Sequence, residues 1–377
     1  MHGMMNQRNL LSHVVCTGHG KWFYRLTNAD GKVWLMPARN MRVAMGLYQP
    51  SGMKGKLLKV MFPYLHGIGL VNRVIRAERM KYQLQKKYDK LINEIFHISN
   101  PEFSIFLGTP SARQKMTIQV SKGTQILGYI KVAQNEEINI LFEKESKMLA
   151  FLASKGIEYI PIPLFCGKVA DDFVFVQSTY KTCQSNVWHL WTSLHADFVM
   201  RLHQNTTLHI PFVETEFYAE LSYLKSHIAQ IALKDKTLFQ KSIEIVNNYF
   251  ETKDEYSCLH ADFTPWNMFV DRSHLCVFDF EYSGYTYPPY MDMVHYQLQL
   301  FLLERCYGIE KAFNGLEKFK SQILIHVENA DMLIIAYLIH ILSFYMQLYN
   351  GHFDSSDRMY VIWTGLLEKY INQNNRK

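Results

Sequence analysis

His260-Ala261-Asp262-Phe263-Thr264-Pro265-Trp266-Asn267, followed by Val277-Phe278-Asp279-Phe280-Glu281, is the stretch on which the reading of this chain turns. It has the form H-x-D-x-x-x-x-N, with a second Asp on an apolar strand 17 residues after the first. Phosphoryl transfer from ATP needs such a set. One carboxylate accepts the hydroxyl proton and orients the nucleophile, and an Asn and a second Asp hold Mg2+ on the phosphates. Mg2+ prefers oxygen ligands and takes one or two carboxylates beside the phosphates. The run MFV–DRSH–LCVFDF predicts a hairpin that brings Asn267 and Asp279 together.

The pentapeptide LHADF occurs twice, which supplies an internal control. At 194–198 it is followed by VMRLH in a helical stretch, and Leu202 stands where the second copy has Asn267. The first copy is therefore read as helix surface and core. The second carries Thr264-Pro265, which break regular structure and suit a loop.

ATP phosphates also need a cation on a strand, steadied by a carboxylate from a helix. Lys131 lies in the strand-like run Tyr129-Ile130-Lys131-Val132-Ala133. A helix is predicted over about 138–153, with Ile138, Leu141, Leu149 and Leu152 on its apolar face. Glu145 falls on that face, whereas Glu143 points away. A carboxylate facing inward is costly unless paired, and Lys131 is its expected partner.

On these residues the chain resembles the aminoglycoside phosphotransferase and choline kinase branch of the protein-kinase-like fold. The matching pieces are Lys131, Glu145, Leu202-His203, His260 to Asn267, Asp279-Phe280-Glu281 and Pro288-Pro289-Tyr290-Met291-Asp292, within about residues 102–300. The resemblance implies an α+β, two-lobed fold, with a small antiparallel sheet lobe and a large helical lobe. It implies a kinase that moves the γ-phosphate of ATP, with Mg2+, to a hydroxyl of a small molecule or glycan. By position it makes Asp262 the catalytic base and Asn267 and Asp279 the metal ligands. Lys131 and Glu145 would serve the nucleotide, Asp292 would brace the catalytic loop, and His260 would be structural. Three departures set the chain apart from protein kinases. Gly108 to Arg113 is not a G-x-G-x-x-G turn, Ala261 replaces the Arg of H-R-D, and no A-P-E follows Asp279.

The rest of the chain bounds this reading. At 377 residues, 48% hydrophobic and 20% charged, it is a folded protein of two or three units. Residues 1–100 hold 16 Lys and Arg against 4 Asp and Glu, whereas 101–377 hold 24 against 30, so the net charges are +12 and −6. The expected division is a basic α+β extension over 1–100, a sheet lobe over 101–180 and a helical lobe over 181–377. Within the extension, 21–36 predicts a hairpin turning at Asp30-Gly31, and 72–96 predicts a helix. Residues 53–71 are apolar and basic, with Pro63, Gly67 and Gly69 interrupting any long helix. The run 332–349 reaches the lower length limit for a membrane span, but its Tyr, His, Ser and Gln favour a buried helix of the large lobe.

Six dispersed cysteines without C-x-x-C, and a start MHGMMNQRNLLSHVV without a signal-peptide pattern, point to a reducing cytoplasm. Two other function classes compete with the kinase. One is a catalytically silent, nucleotide-binding scaffold, which the presence of Lys131, Asp262, Asn267 and Asp279 argues against. The other is a binding protein recruited to an anionic membrane through residues 1–100, at the inner face, a role that a kinase could also combine with catalysis. No recognisable nucleic-acid motif accompanies the basic charge.

Overall fold

The computed structural model describes residues 10–50, 52–111, 113–351 and 356–374. The first nine residues of the start, and Ala112 in the Gly108 to Arg113 turn, lie outside the described residues. The chain divides into two units. One holds the chain up to Ser154, Glu158–Val187 and Phe269–Glu281, and the other holds Lys155–Ile157, Trp188–Met268 and Tyr282–Lys377.

The first unit is built on an eight-stranded sheet. Its strands are β1 (Val15–Thr27), β2 (Val33–Pro37), β3 (Glu78–Leu84), β4 (Glu102–Leu107), β5 (Met116–Lys122), β6 (Gln125–Ala133), β7 (Pro163–Val169) and β8 (Asp172–Ser178). They lie in the order β3-β1-β2-β4-β5-β6-β8-β7, and neighbours run antiparallel. The hairpin expected over 21–36 is present. Asn28 Oδ1 accepts from the Lys32 amide at 2.9 Å, and Gly31 takes φ +77°, which its missing Cβ allows.

Successive strand residues face opposite sides of the sheet, and neighbours in β1 bury into different clusters. Phe23 joins Tyr82, Tyr88, Ile105, Ile118, Ile130 and Val174. Tyr24 joins Trp34, Met36, Met41 and Phe62.

Three expectations are corrected here. Residues 72–96 are not one helix, because a short helix, Gly69–Val74, ends inside this stretch, Glu78–Leu84 is strand β3, and a second helix spans Lys86–Phe96. Tyr82 and Leu84 are buried two apart on the strand, and pairing with β1 outweighs the helical spacing. Nor is residue 100 a boundary of the sheet, since β2 of the basic segment pairs with β4 through Val33↔Leu107, Trp34↔Phe106 and Leu35↔Ile105. The expected division at 180 is also crossed, because Phe269–Glu281 belong with the sheet unit. Asn186 bridges Val270, and Asp271 accepts hydrogen bonds from the Thr182 and Ser185 hydroxyls, both at 2.5 Å.

The second unit is largely helical and carries a three-stranded sheet of Leu208–His209, Glu255–Leu259 and Gly284–Tyr287. Helix Ala330–Leu348 is long and apolar enough to cross a membrane, but most of it is buried. It packs on helices Glu216–Ser226 and Arg358–Asn374, as expected of a buried helix in this part of the chain. The α+β class, with antiparallel sheet and helical parts, is borne out.

Candidate active site

Lys131 is an inward position of β6, paired in register with Thr117 of β5 and Phe175 of β8. Helix Glu136–Ser154 buries Ile138, Phe142, Glu145, Met148, Leu149 and Leu152. Phe142 is buried where Leu141 was expected, while Leu141 is half-buried and Glu143 exposed. Glu145 is fully buried on this face, and both its oxygens accept from Lys131 Nζ, at 2.9 and 2.7 Å.

The Lys131 ammonium also donates to Asp279 Oδ1 at 2.6 Å. The sheet unit thus gathers Lys131, Glu145 and Asp279 at one point. Glu281 completes the group, and its carboxylate accepts from Lys115. Sequence reasoning assigned Lys115 no role, because its partner lies far along the chain.

Electrostatics follow from this packing. Burial alone would lower the Lys131 ammonium, but Asp279, Glu145 and Glu281 outweigh it and hold the group above its usual value. Burial pushes the Glu145 carboxyl up to about 7, against the pull of Lys131. Glu281 is also raised, by burial and then by Asp279.

Oxygens of Glu145, Asp279 and Glu281 lie within 4.8 Å of one another. The Asp279 side chain keeps 31% exposure, against 0% for Glu145 and 7% for Glu281. It is therefore the carboxylate of this group open to an incoming ligand. Asp279 also takes φ +71°, a left-handed conformation that Asp tolerates better than most residues.

The loop after strand Glu255–Leu259 belongs to the helical unit. Asp292, 1% exposed on helix Met291–Gln299, accepts from the backbone N–H of His260 at 2.8 Å and of Ala261 at 3.1 Å. These two bonds are the bracing expected of Asp292. They hold Ala261 at φ +67°, which costs a residue with a Cβ about 1–2 kcal/mol. His260 is fully buried, and its Nδ1 accepts from the Asp262 amide at 3.2 Å, so its proton sits on Nε2. Pro265–Asn267 forms one 3-10 turn. Asn267 Nδ2 donates to the Asp262 carbonyl at 3.0 Å and to Asp262 Oδ2 at 2.7 Å. Both bonds use the amide nitrogen, so neither engages the carboxamide oxygen.

A neighbour of Asp262 was missed from the sequence. His295 Nε2 lies 3.4 Å from Asp262 Oδ1 and makes no hydrogen bond. Its Nδ1 meets the Tyr337 hydroxyl at 3.1 Å. Burial, then His340, pushes His295 down to about 3, so the ring is neutral near pH 7. A Tyr337 hydroxyl donating to Nδ1 leaves the proton on Nε2, facing Asp262. The available signal was the three-residue spacing of Asp292 and His295 on one helix.

An Asp oxygen and a carboxamide oxygen are Mg2+ ligands by type; Asp279 offers the first within the sheet unit and Asn267 the second within the helical unit. The first LHADF copy lies in helix Ser193–Thr206, with His195 buried beside Thr192 and Asp197 exposed, as expected of helix core and surface. The aromatic residues after the second Asp are used in packing. Tyr287 is buried and donates to Glu220 at 2.6 Å, Tyr282 packs edge-on to Phe344, and Tyr290 to His203.

Residues 188–297 match the model of a phosphotransferase enzyme family, APH. The match includes Asp262, Asn267 and Asp279, and Lys131 and Glu145 lie outside it. The expected likeness to this family is therefore met over that segment. No curated protein matches the sequence. Among solved structures, the GDP complex of aminoglycoside 2'-phosphotransferase-IIIa is 14% identical, with TM-score 0.47 over 77% of this chain and 100% of that one. An amicoumacin kinase in complex with AMP-PNP, Ca2+ and Ami is 14% identical, with TM-score 0.43 over 73% and 87%. An aminoglycoside phosphotransferase from Streptomyces rimosus is 15% identical, with TM-score 0.41 over 68% and 97%.

Proposed function

We propose that this protein is a kinase that transfers the γ-phosphoryl group of ATP to an alcohol of a small molecule or glycan. In this reading Asp262 takes the proton of the acceptor hydroxyl. The acceptor oxygen forms a bond to the γ-phosphorus, and the bond from that phosphorus to the bridging oxygen breaks, releasing ADP. Asn267 and Asp279 would hold Mg2+, which neutralises phosphate charge when bound. Lys131, fixed by Glu145, would meet the phosphates.

The observation that carries this reading is the buried Lys131, gripped by both oxygens of Glu145 and touching a partly open Asp279. A purely structural pair would be complete with Lys131 and Glu145, both of which are buried. Here a cation is desolvated, oriented and left beside an accessible carboxylate, which is how charge stabilisation is prepared for an anionic ligand. Asp262 is likewise partly open, with 31% of its side chain exposed, while its position is set by Asn267 and His260.

The test is ADP release from MgATP across a panel of sugars, aminoglycosides, choline and lipid-linked glycans, beside a nucleotide-binding titration with and without EDTA. Acceptor-dependent ADP release is the expected result. Metal-independent nucleotide binding would overturn the roles of Asn267 and Asp279. Nucleotide binding with no turnover on any acceptor would favour a silent scaffold.

A further inference from the structure

Helix Met53–Leu65 carries two apolar faces. Leu58 and Phe62, one turn apart, pack into the cluster of Tyr24, Trp34 and Met41. Met53, Leu57, Val60, Met61 and Tyr64 recur at the spacing of a single helix face. They are 80%, 64%, 64%, 43% and 73% exposed. Beyond the helix end, Ile68, Leu70 and Val74 are exposed as well. Single exposed apolar residues are ordinary, whereas a contiguous row marks an interaction site.

Charge identifies what the row meets. From Gly31 to Ala77 there are eight Lys and Arg and no acidic residue. Arg39, Arg42, Lys54, Lys56, Arg73 and Arg76 are exposed. By helical spacing Lys54 and Lys56 border the apolar row on opposite sides. Two such cations can lay their methylene stems along an apolar phase and keep their ammonium groups in a headgroup layer. A second copy of the chain would bring the same cations against these, because a two-fold interface is self-facing.

We propose that this face docks on an anionic lipid bilayer, with the row from Met53 to Tyr64 entering the headgroup–acyl boundary. The helix is about 20 Å long at 1.5 Å per residue, so contact is shallow, single and reversible. It stands whether or not the chain transfers phosphate.

The experiment is vesicle co-sedimentation with the full chain. One set of vesicles is pure phosphatidylcholine and the other also contains phosphatidylserine. Binding is expected only to the second set and should fall as salt is raised, because screening shortens the reach of each charge. Each Lys or Arg near such a surface is worth about fivefold in partition, so the Lys54→Glu, Lys56→Glu double variant should bind at least about 25-fold more weakly, because it both removes two cations and adds two anions. Leu57→Asp with Tyr64→Asp should remove binding and leave the thermal midpoint unchanged, since both side chains are exposed.

Absence of sedimentation at low salt overturns the proposal, as does binding that the Leu57→Asp, Tyr64→Asp variant retains. Self-association without vesicles, abolished by Leu57→Asp, would make the face a self-interface. A marked drop in thermal midpoint for Leu57→Asp would mean that the chain itself covers the row. Salt-sensitive binding to RNA that the apolar substitutions leave untouched would assign the charge to a nucleic acid instead.

Discussion

Replacing Lys131 by Met should cost more than replacing Glu145 by Gln, and the two losses should not add. In Glu145→Gln the ammonium keeps Asp279 at 2.6 Å. What is lost is a hydrogen bond between charged partners, worth about 1.5–3 kcal/mol. In Lys131→Met a fully buried Glu145 loses its cation while its oxygens stay within 4.8 Å of those of Asp279 and Glu281. Breaking a buried pair from one side costs about 3–5 kcal/mol. The double variant leaves no charge at 145 to strand, so it should cost no more than Lys131→Met alone. The cycle should then show a coupling of about 1.5–3 kcal/mol, the upper part of the range for residues in contact.

The loss in Lys131→Met should also depend on pH. Burial already pushes the Glu145 carboxyl up to about 7 from 4.5, and removing Lys131 removes the cation that restrains it. A carboxyl raised in the folded state binds its proton more tightly there than in the unfolded chain. Its stability contribution is intact at low pH and is lost as pH rises from the unfolded value through the folded one. The deficit of Lys131→Met should be smallest near about pH 5 and largest above about pH 7, and Glu145→Gln in the same background should flatten it. Urea unfolding followed by circular dichroism at several pH values measures both effects. Additive losses, or a deficit for Lys131→Met that is independent of pH, would refute the reasoning.

The remaining predictions concern the loop at 260–267. Asp262→Asn should lower turnover about 10²–10⁴-fold with nucleotide affinity intact, whereas Asp197→Asn in the duplicate pentapeptide should leave turnover unchanged; steady-state rates with the acceptor found in the panel decide this. Asp292→Ala leaves the His260 and Ala261 amides without their acceptor, at about 1–3 kcal/mol each, seen as a lower thermal midpoint. Burial pushes Asp292 up to about 7, so the wild-type midpoint should decline as pH rises from about 4 through 7, and Asp292→Asn should weaken that slope. His295→Phe removes the dipole that faces Asp262 and favours its charged form. The acid limb of the kcat/KM profile should therefore move to higher pH, and an unchanged limb would reduce His295 to a packing role.

The features legible in the sequence are those carried by local geometry. Four residues separate Asp262 from Asn267, and a loop that short brings their side chains into contact once Thr264-Pro265 end the regular structure. Glu145 was found because its helix face follows from 3.6-residue periodicity, which predicts burial without knowledge of the partner. The turn at Asp30-Gly31 and the end of the helix at Leu65, ahead of Gly67, are likewise short-range backbone effects, whereas Pro63 was expected to interrupt the helix and lies within Met53–Leu65.

Long-range pairing decided the rest. Glu78–Leu84 shows helical and strand spacing at once, and only hydrogen bonding to β1 selects the strand. Strands β1 to β3 have nothing in their composition that assigns them to the same sheet as β4 to β8; the register of β2 on β4 does. Lys115 and Glu281, or His295 and Asp262, are separated by stretches of chain over which spacing carries no information, and they meet through the packing of whole elements. The exposed row on helix Met53–Leu65 has the same origin. Its apolar residues and lysines are plain in the sequence, but which of its two faces is covered depends on the Tyr24, Trp34 and Met41 cluster formed by other segments.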